Sequence, residues 1–279
     1  MRAMTAIVIL FMFCLLIFGC TGQEKTITLR IRLQPGEKLT FQQTTKGRTK
    51  IYKADSLTSD RQENWEAEYI QEVISIDPDS TIQLVTSTTI TGFSLDSLNA
   101  GKIDSSSYTS GDSLRMKPNG RVVDIKPIDP DVGRSVEWLQ QYMEQGMPVF
   151  PSGEISIPYS WTQTVRVMLP EETMDASIVF TVKSLVRELG YDCALIEYDG
   201  TLYIPVPPSA KDTTCLGGID RLTTTGKLYF AYTEGTTILE RAHITIDSER
   251  ITLVDGKEVA IRYEGFRDVE YALVDRQVP

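Results

Sequence analysis

Long stretches of this sequence alternate apolar and polar residues, and this alternation constrains the fold more than any other feature. In TITLRIRL, Ile27, Leu29, Ile31 and Leu33 are separated by threonine and arginine. Because successive side chains of a β-strand point to opposite faces, the pattern predicts a strand with one buried face. Stretches rich in threonine and β-branched residues recur to the C-terminus. We therefore predict a mainly β, antiparallel fold.

One segment breaks the β pattern. Residues 129–146, DPDVGRSVEWLQQYMEQG, place apolar side chains at helical spacing. Asp129 is a suitable N-cap before Pro130, and Gly146 can end the helix. The sequence therefore predicts a single amphipathic helix in the middle of the chain.

The order of predicted strands is similar on both sides of this helix. An entry strand, a bent strand pair and a glycine-containing hairpin occur in 26–128 and again in 147–279. The similarity indicates two duplicated β halves joined by the helix. Large curved antiparallel sheets of this kind form a half-barrel, a barrel or a sandwich.

The N-terminal residues 1–19 have the features of a signal peptide. A start with one arginine is followed by the uninterrupted apolar run AIVILFMFCLLIF. This run is shorter than the roughly 20 residues that span a bilayer, and small residues follow it. The alternative is a short membrane anchor that stays uncut.

The end of this run, Ile17-Phe18-Gly19-Cys20, resembles the lipobox of bacterial lipoproteins. The resemblance implies cleavage between Gly19 and Cys20, a diacylglyceryl thioether on Cys20, and a further fatty acyl chain such as palmitate on the new amino group. Two or more chains anchor a protein stably to a membrane. Residues 20–25 would then be a short acylated tether.

The strand layout is similar to that of uncharacterised bacterial lipoproteins with a Pro-Gly-Glu/Asp entry, here Pro35-Gly36-Glu37. It is more faintly similar to the half-barrel lipoprotein carriers of the LolA kind. These resemblances imply a location in the cell envelope. Thr21 after the cysteine is not the aspartate that resembles an inner-membrane retention signal. This favours the outer membrane, facing the periplasm or the surface, over the inner membrane.

Cysteine usage follows from the same interpretation. Cys14 lies in the predicted signal, and Cys20 is the predicted acylation site. Cys193 and Cys215 remain as an even pair in a chain exported to an oxidising compartment. We predict a disulfide between them, with two separate buried thiols as the alternative.

Residues for catalysis or metal binding are scarce. His243 is the only histidine, it lies in a strand-like stretch, and the sequence has neither G-x-S-x-G nor H-E-x-x-H. Glu171, Glu172 and Asp175 lie in a polar stretch that is typical of a solvated loop. We therefore predict no enzymatic activity, no cofactor and no bound metal. The net charge of -10 also argues against a nucleic-acid partner.

Aromatic and aliphatic residues in the predicted strands are candidates for an apolar ligand pocket. The alternative for the same residues is ordinary core packing. The candidates are Trp65, Trp161, Phe180, Leu228, Phe230 and Tyr232.

Three hypotheses for function follow. The first is a non-catalytic, membrane-anchored envelope lipoprotein that binds a partner or ligand. The second is a carrier of lipid or another hydrophobic ligand in a half-barrel pocket. The third is a carboxylate-dependent hydrolase of envelope polysaccharide, which requires two carboxylates facing each other across a groove.

Overall fold

The computed structural model describes residues 25–96, 98, 102–128, 136–168, 173–206 and 215–279. Thirteen strands and one helix are present in these residues. In chain order they are β1 (Thr26–Ile27), β2 (Lys38–Lys53), β3 (Ser56–Ile76), β4 (Ile82–Asp96), β5 (Lys102–Met116), β6 (Val122–Pro127), α1 (Val136–Gly146), β7 (Ile155–Ser156), β8 (Tyr159–Met168), β9 (Thr173–Glu188), β10 (Tyr191–Val206), β11 (Cys215–Ala231), β12 (Thr236–Val254) and β13 (Lys257–Gln277).

Eleven of these strands form one antiparallel sheet in the order β6-β5-β4-β3-β2-β13-β12-β11-β10-β9-β8. β1 and β7 form a separate two-stranded sheet. The predicted mainly β, antiparallel class is confirmed. The large sheet is open, with β6 and β8 at its edges, so the described residues form neither a closed barrel nor a sandwich.

The centre of the sheet joins the two ends of the chain. β2 pairs with β13 over its whole length, so that Phe41 lies opposite Leu273. On one side of this junction the chain runs through β2 to β6, and on the other through β8 to β13. The division into duplicated halves at residues 26–128 and 147–279 stays a prediction.

The two faces of the sheet differ, as the alternation predicts. One face, which we call the inner face, carries buried side chains such as Leu39, Phe41 and Leu84, while their chain neighbours are more exposed. Two clusters on this face form most of the core. One is centred on β8 to β11 and includes Phe180 and Phe230, and the other is centred on β2 to β6.

One end of the sheet is closed by other parts of the chain, and we call it the plugged end. It contains the turns at 77–81, 117–121 and 232–235. Residues 25–36 cross the inner face there: the Ile31 amide donates to Pro118 O at 2.7 Å, and the Arg32 amide donates to Gly235 O at 3.0 Å. The opposite, open end contains the turns at 54–55 and 255–256.

This N-terminal segment differs from its prediction. Ile27, Leu29 and Leu33 are buried as expected, but only Thr26–Ile27 is a strand. The amides of Ile31 and Arg32 bond to two turns rather than to a neighbouring strand. The periodicity therefore predicted which side chains are buried but not the hydrogen-bonding partner.

The predicted helix is present as Val136–Gly146, and 129–135, with the proposed cap at Asp129, lie outside the described residues. Leu139 is buried against Val122 and Ile125 of β6. Near the other end of the helix, the Gln145 amide donates to Tyr203 O and accepts from Tyr203 N, both at 2.9 Å. The helix thus links β6 at one edge of the sheet to β10.

Candidate functional site

Most of the predicted pocket residues meet in one core cluster. Phe180, Leu228 and Phe230 are buried there, and Trp161 and Tyr232 pack against it. Trp161 stacks on Phe180, with ring centroids 5.0 Å apart. The sequence therefore identified residues that lie together. Whether they contact a ligand stays a prediction.

The chain's own side chains fill the space beside these residues. Phe150, from the segment between α1 and β8, lies 4.6 Å from Phe230 between ring centroids. Ile155 and the N-terminal Ile27 and Leu29 complete the same cluster. These contacts are typical of close-packed protein interior.

Trp65 lies apart from the other candidates, on the inner face of β3. Its ring covers Gly92 of β4, where an added Cβ would approach the ring carbon Cε3 within 1.9 Å. A glycine within a strand is typical of such a close approach. The structure therefore does not bring Trp65 into the pocket cluster.

Beyond the core clusters, toward the open end, the inner face carries many polar side chains beside buried apolar ones such as Ile204 and Ile246. We call this region the polar interior; its main members are Thr49, Glu63, Tyr198, Asp220, Glu240, Ser248, Arg250 and Arg267. Arg267 pairs with Glu63 at 3.2 Å, and Arg250 pairs with Asp220 at 3.1 Å. Oppositely charged groups thus pair on neighbouring or next-neighbouring strands.

Two hydroxyls of the polar interior lie buried without a hydrogen-bond partner in the described part of the chain. They are Thr49 Oγ1, in a residue that is 6% exposed, and Ser248 Oγ, in a residue that is 2% exposed. Buried hydroxyls are usually hydrogen-bonded, so these two atoms are suited to ordered water.

Tyr198 and Glu240 form the most strongly perturbed pair. The Tyr198 hydroxyl donates to a Glu240 carboxylate oxygen. Burial raises the pKa of both groups, and the neighbouring Glu240 carboxylate raises the pKa of Tyr198 further. The donated hydrogen bond partly offsets the rise for Glu240. The pair therefore favours a protonated Glu240 over a wider pH range than a solvated glutamate would have.

The opposite, outer face carries an open cleft of about 900 Å³, lined by strands β9 to β13 and β2. We call it the outer cleft. Its charged side chains are four basic and four acidic residues: Lys46, Lys183, Lys227, Arg241, Glu197, Asp199, Asp268 and Glu270. Arg241 pairs with Glu270 at 2.7 Å, and Glu197 lies 3.5 Å from both Lys183 and Lys227.

His243 also lines the outer cleft. Its Nδ1 lies 2.7 Å from Asp268 Oδ1, and its ring stacks on Phe266 with centroids 5.9 Å apart. In the described residues, no group of three potential metal-ligating side chains occurs. The sequence predicted His243 to be a strand residue, but it did not predict its partner Asp268 or the cleft.

The predicted disulfide between Cys193 and Cys215 is corrected by the structure, in which both thiols are free. Cys193 lies opposite Ala231 at one end of β11, and Cys215 is the first residue at the other end of β11. Sixteen residues of strand separate these positions by on the order of 50 Å. Bonded cysteines need Cα atoms within about 7 Å.

The predicted acylation site lies outside the described residues, as do Gly19 and the remainder of 1–24. Among the helices of the described residues, none is long and apolar enough to cross a membrane.

No family model matches this sequence. No curated protein matches it at a significant level either. Solved structures with partial likeness include lipovitellin, whose structure was described for its lipid–protein interactions, with 10% identity over 88% of this chain and a TM-score of 0.48. This chain spans about a quarter of the lipovitellin chain, 26%.

Two further structures are similar over more of their length. An outer membrane channel from Pseudomonas putida F1 has 9% identity over 91% of this chain and 98% of its own, with a TM-score of 0.33. An exported protein with a YmcC-like fold from Bacteroides fragilis has 13% identity over 90% of this chain and 100% of its own, with a TM-score of 0.18. All three TM-scores lie below 0.5.

Proposed function

We propose that this chain is a non-catalytic lipoprotein of the cell envelope, anchored through acylated Cys20, that binds a partner at the outer cleft. The observation that supports the anchor is the resemblance of residues 17–20 to a lipobox. The fold begins soon afterwards, because Thr26 already pairs with Ser156. An extended tether over residues 20–25 spans at most about 17 Å. The sheet is therefore held close to the membrane.

The outer cleft is the proposed binding surface because it combines concavity with charges of both signs. Its ion pairs are half-exposed, so each contributes little to folding stability. They remain available to exchange for ion pairs with a partner. A polypeptide with interleaved acidic and basic side chains has the matching chemistry.

The anchor is tested by comparing the wild-type chain with Cys20→Ala in a bacterium that processes lipoproteins. We expect metabolic incorporation of a fatty-acid analogue into the wild-type protein and none into the variant. Incorporation at an equal level in both proteins would contradict the anchor.

The binding surface is tested by a photo-crosslinking amino acid placed at Thr225, an exposed residue of the cleft. Thr89, exposed on β4 outside the cleft, is the matched control. We expect a discrete protein adduct from position 225 that is absent from position 89 and weakened by Lys227→Glu. Equal adducts at both positions, or an adduct indifferent to Lys227→Glu, would exclude the cleft.

The other two hypotheses receive less support. A hydrophobic carrier requires space beside Phe180 and Phe230, where Phe150 and Ile155 pack. A hydrolase requires facing carboxylates, yet Asp175 is half-exposed and lies 3.5 Å from Arg166. Glu171 and Glu172 lie outside the described residues. We therefore retain the binding lipoprotein as the proposal.

A further inference from the structure

We propose that the plugged end of the sheet rests on the lipid bilayer while the open end projects away from it. This inference depends on the proposed anchor at Cys20. It adds an interaction surface, the rim of the plugged end, and names the bilayer surface as its partner.

The length of the tether excludes the inverted orientation. Ile31 is fixed at the plugged end by its bond to Pro118, and it lies eleven residue steps along the chain from Cys20. Fully extended, they reach about 36 Å. Twenty residues of β12 and its flanking turns separate Gly235 at the plugged end from Asp255 at the open end, a strand length of about 65 Å. The tether is too short to let the open end face the membrane.

The rim of the plugged end exposes apolar side chains. Ile74 and Ile76 lie at the end of β3, Val274 and Val278 lie at the C-terminus, and Leu189 lies in the turn between β9 and β10. Their exposed fractions run from 37% for Ile76 to 58% for Leu189. The C-terminal Pro279 packs 3.5 Å from the Cβ position of Gly36, which brings the C-terminus beside the turn before β2. Several sequence-distant segments thus contribute to one rim.

Leu189 is the most informative member of this rim. Its φ is +48°, in the left-handed region where glycine and asparagine are usual. A large apolar side chain held in this conformation at an exposed turn tip contributes nothing to the core. The exposed Arg187 beside it donates to Gly190 O at 3.4 Å and places a cation at the same tip. Glu188 and Asp192 flank the same turn, so the exposed apolar side chain, and not a net positive charge, suits this tip to a lipid surface.

A flat orientation on the bilayer is disfavoured by the outer face. Lys227, Asp268 and Glu270 lie midway along the sheet, where contact with lipid would remove charged groups from water. Leu57 near the open end and Phe266 midway along β13 are also exposed, so apolar exposure alone does not select the plugged end. The length of the tether selects the plugged end as the end that contacts the bilayer. The charges on the outer face favour a sheet that stands upright on the membrane.

The test uses the full-length acylated protein in vesicles of phosphatidylcholine and phosphatidylglycerol. In a Cys215→Ser background, single labelling sites are introduced as Leu189→Cys or Ile74→Cys at the plugged end and Asp255→Cys at the open end. Buried Cys193 stays in place. Each site carries a fluorophore, and spin-labelled lipids act as quenchers.

We expect loss of fluorescence at positions 189 and 74 and none at position 255. Equal loss at all three positions indicates a flat sheet and overturns the proposal, as does loss at position 255 alone. Flotation of the vesicles separates the two proposals. Protein that fails to float overturns the anchor and this orientation together, whereas protein that floats without loss at positions 189 and 74 overturns only the orientation.

Discussion

Tyr198 crosses Gly226 to reach Glu240, so that three neighbouring strands are joined by one side chain. The Tyr198 hydroxyl donates to Glu240, and a Cβ on Gly226 would lie 2.4 Å from the Tyr198 ring. The pair belongs to the polar interior and lies where it meets the apolar core, against which Tyr198 packs. Glycine at position 226 is therefore required by the close approach of the tyrosine ring.

Gly226→Ala tests this contact. The added methyl would also lie 2.8 Å from the Arg241 carbonyl oxygen. Because this second clash is with the backbone, a movement of the tyrosine ring alone cannot relieve it. We expect a loss of about 1–3 kcal/mol in the free energy of unfolding, measured in urea. Gly146→Ala at the end of α1 is the control, since no atom lies within 4 Å of its Cβ position. Equal stability of the two variants would contradict the predicted clash.

Glu240→Gln tests the buried carboxyl group. In the folded protein, burial raises the pKa of Glu240 above the usual 4.5. At a pH between the two values the folded protein therefore binds more protons than the unfolded chain. Stability contributed by this group is therefore fully present below about pH 4.5 and lost as the pH rises through the raised pKa. Glutamine lacks this titration and still accepts from Tyr198. We expect the variant to gain stability relative to wild type at neutral pH and to lose that advantage near pH 4. Parallel pH profiles of unfolding free energy would contradict this assignment.

Arg276 and Glu37 form a buried ion pair at the plugged end, with 2.7 Å between Nε and Oε1. Their side chains are 17% and 0% exposed. Arg276→Met leaves the Glu37 carboxylate without its cation, so we expect a loss of about 3 kcal/mol or more in the free energy of unfolding. Arg166→Met is the control, because the Arg166 pair with Asp175 is half-exposed. Its expected cost is below about 1 kcal/mol. Similar losses for both variants would be the contrary result.

The two thiols should react independently. Cys193 is fully buried, and burial raises its pKa to about 11, whereas Cys215 is partly exposed. Under native conditions without reductant, we expect alkylation of the Cys215 peptide and little of the Cys193 peptide. After denaturation without reductant, both peptides should be alkylated. If both peptides stay unalkylated until reductant is added, the result would support a disulfide between Cys193 and Cys215.

The local parts of the fold were predictable from the sequence. Alternation correctly predicted that Ile27, Leu29 and Leu33 are buried, although only Thr26–Ile27 is a strand there. These features depend on residues a few positions apart. The helix was predictable for the same reason, at least over Val136–Gly146.

The features that the sequence could not predict depend on the register between strands that are distant in the chain. Phe41 pairs with Leu273 across more than two hundred residues, and the ion pair of Arg241 with Glu270 exists only because β12 and β13 align. Counting cysteines could not place Cys193 and Cys215 at opposite ends of β11. The sequence offered one signal for the Tyr198 contact, an isolated glycine within the strand-like stretch TTTGKLYF.

The central claim is that Cys20 anchors the protein, and the mass of the N-terminal peptide tests it most directly. The protein is purified from membranes of a bacterium that processes lipoproteins and is then digested. We predict a peptide that begins at Cys20 and carries a diacylglyceryl group together with an amide-linked fatty acid. A peptide that begins at Met1, or one that begins at an unmodified Cys20, would contradict the claim.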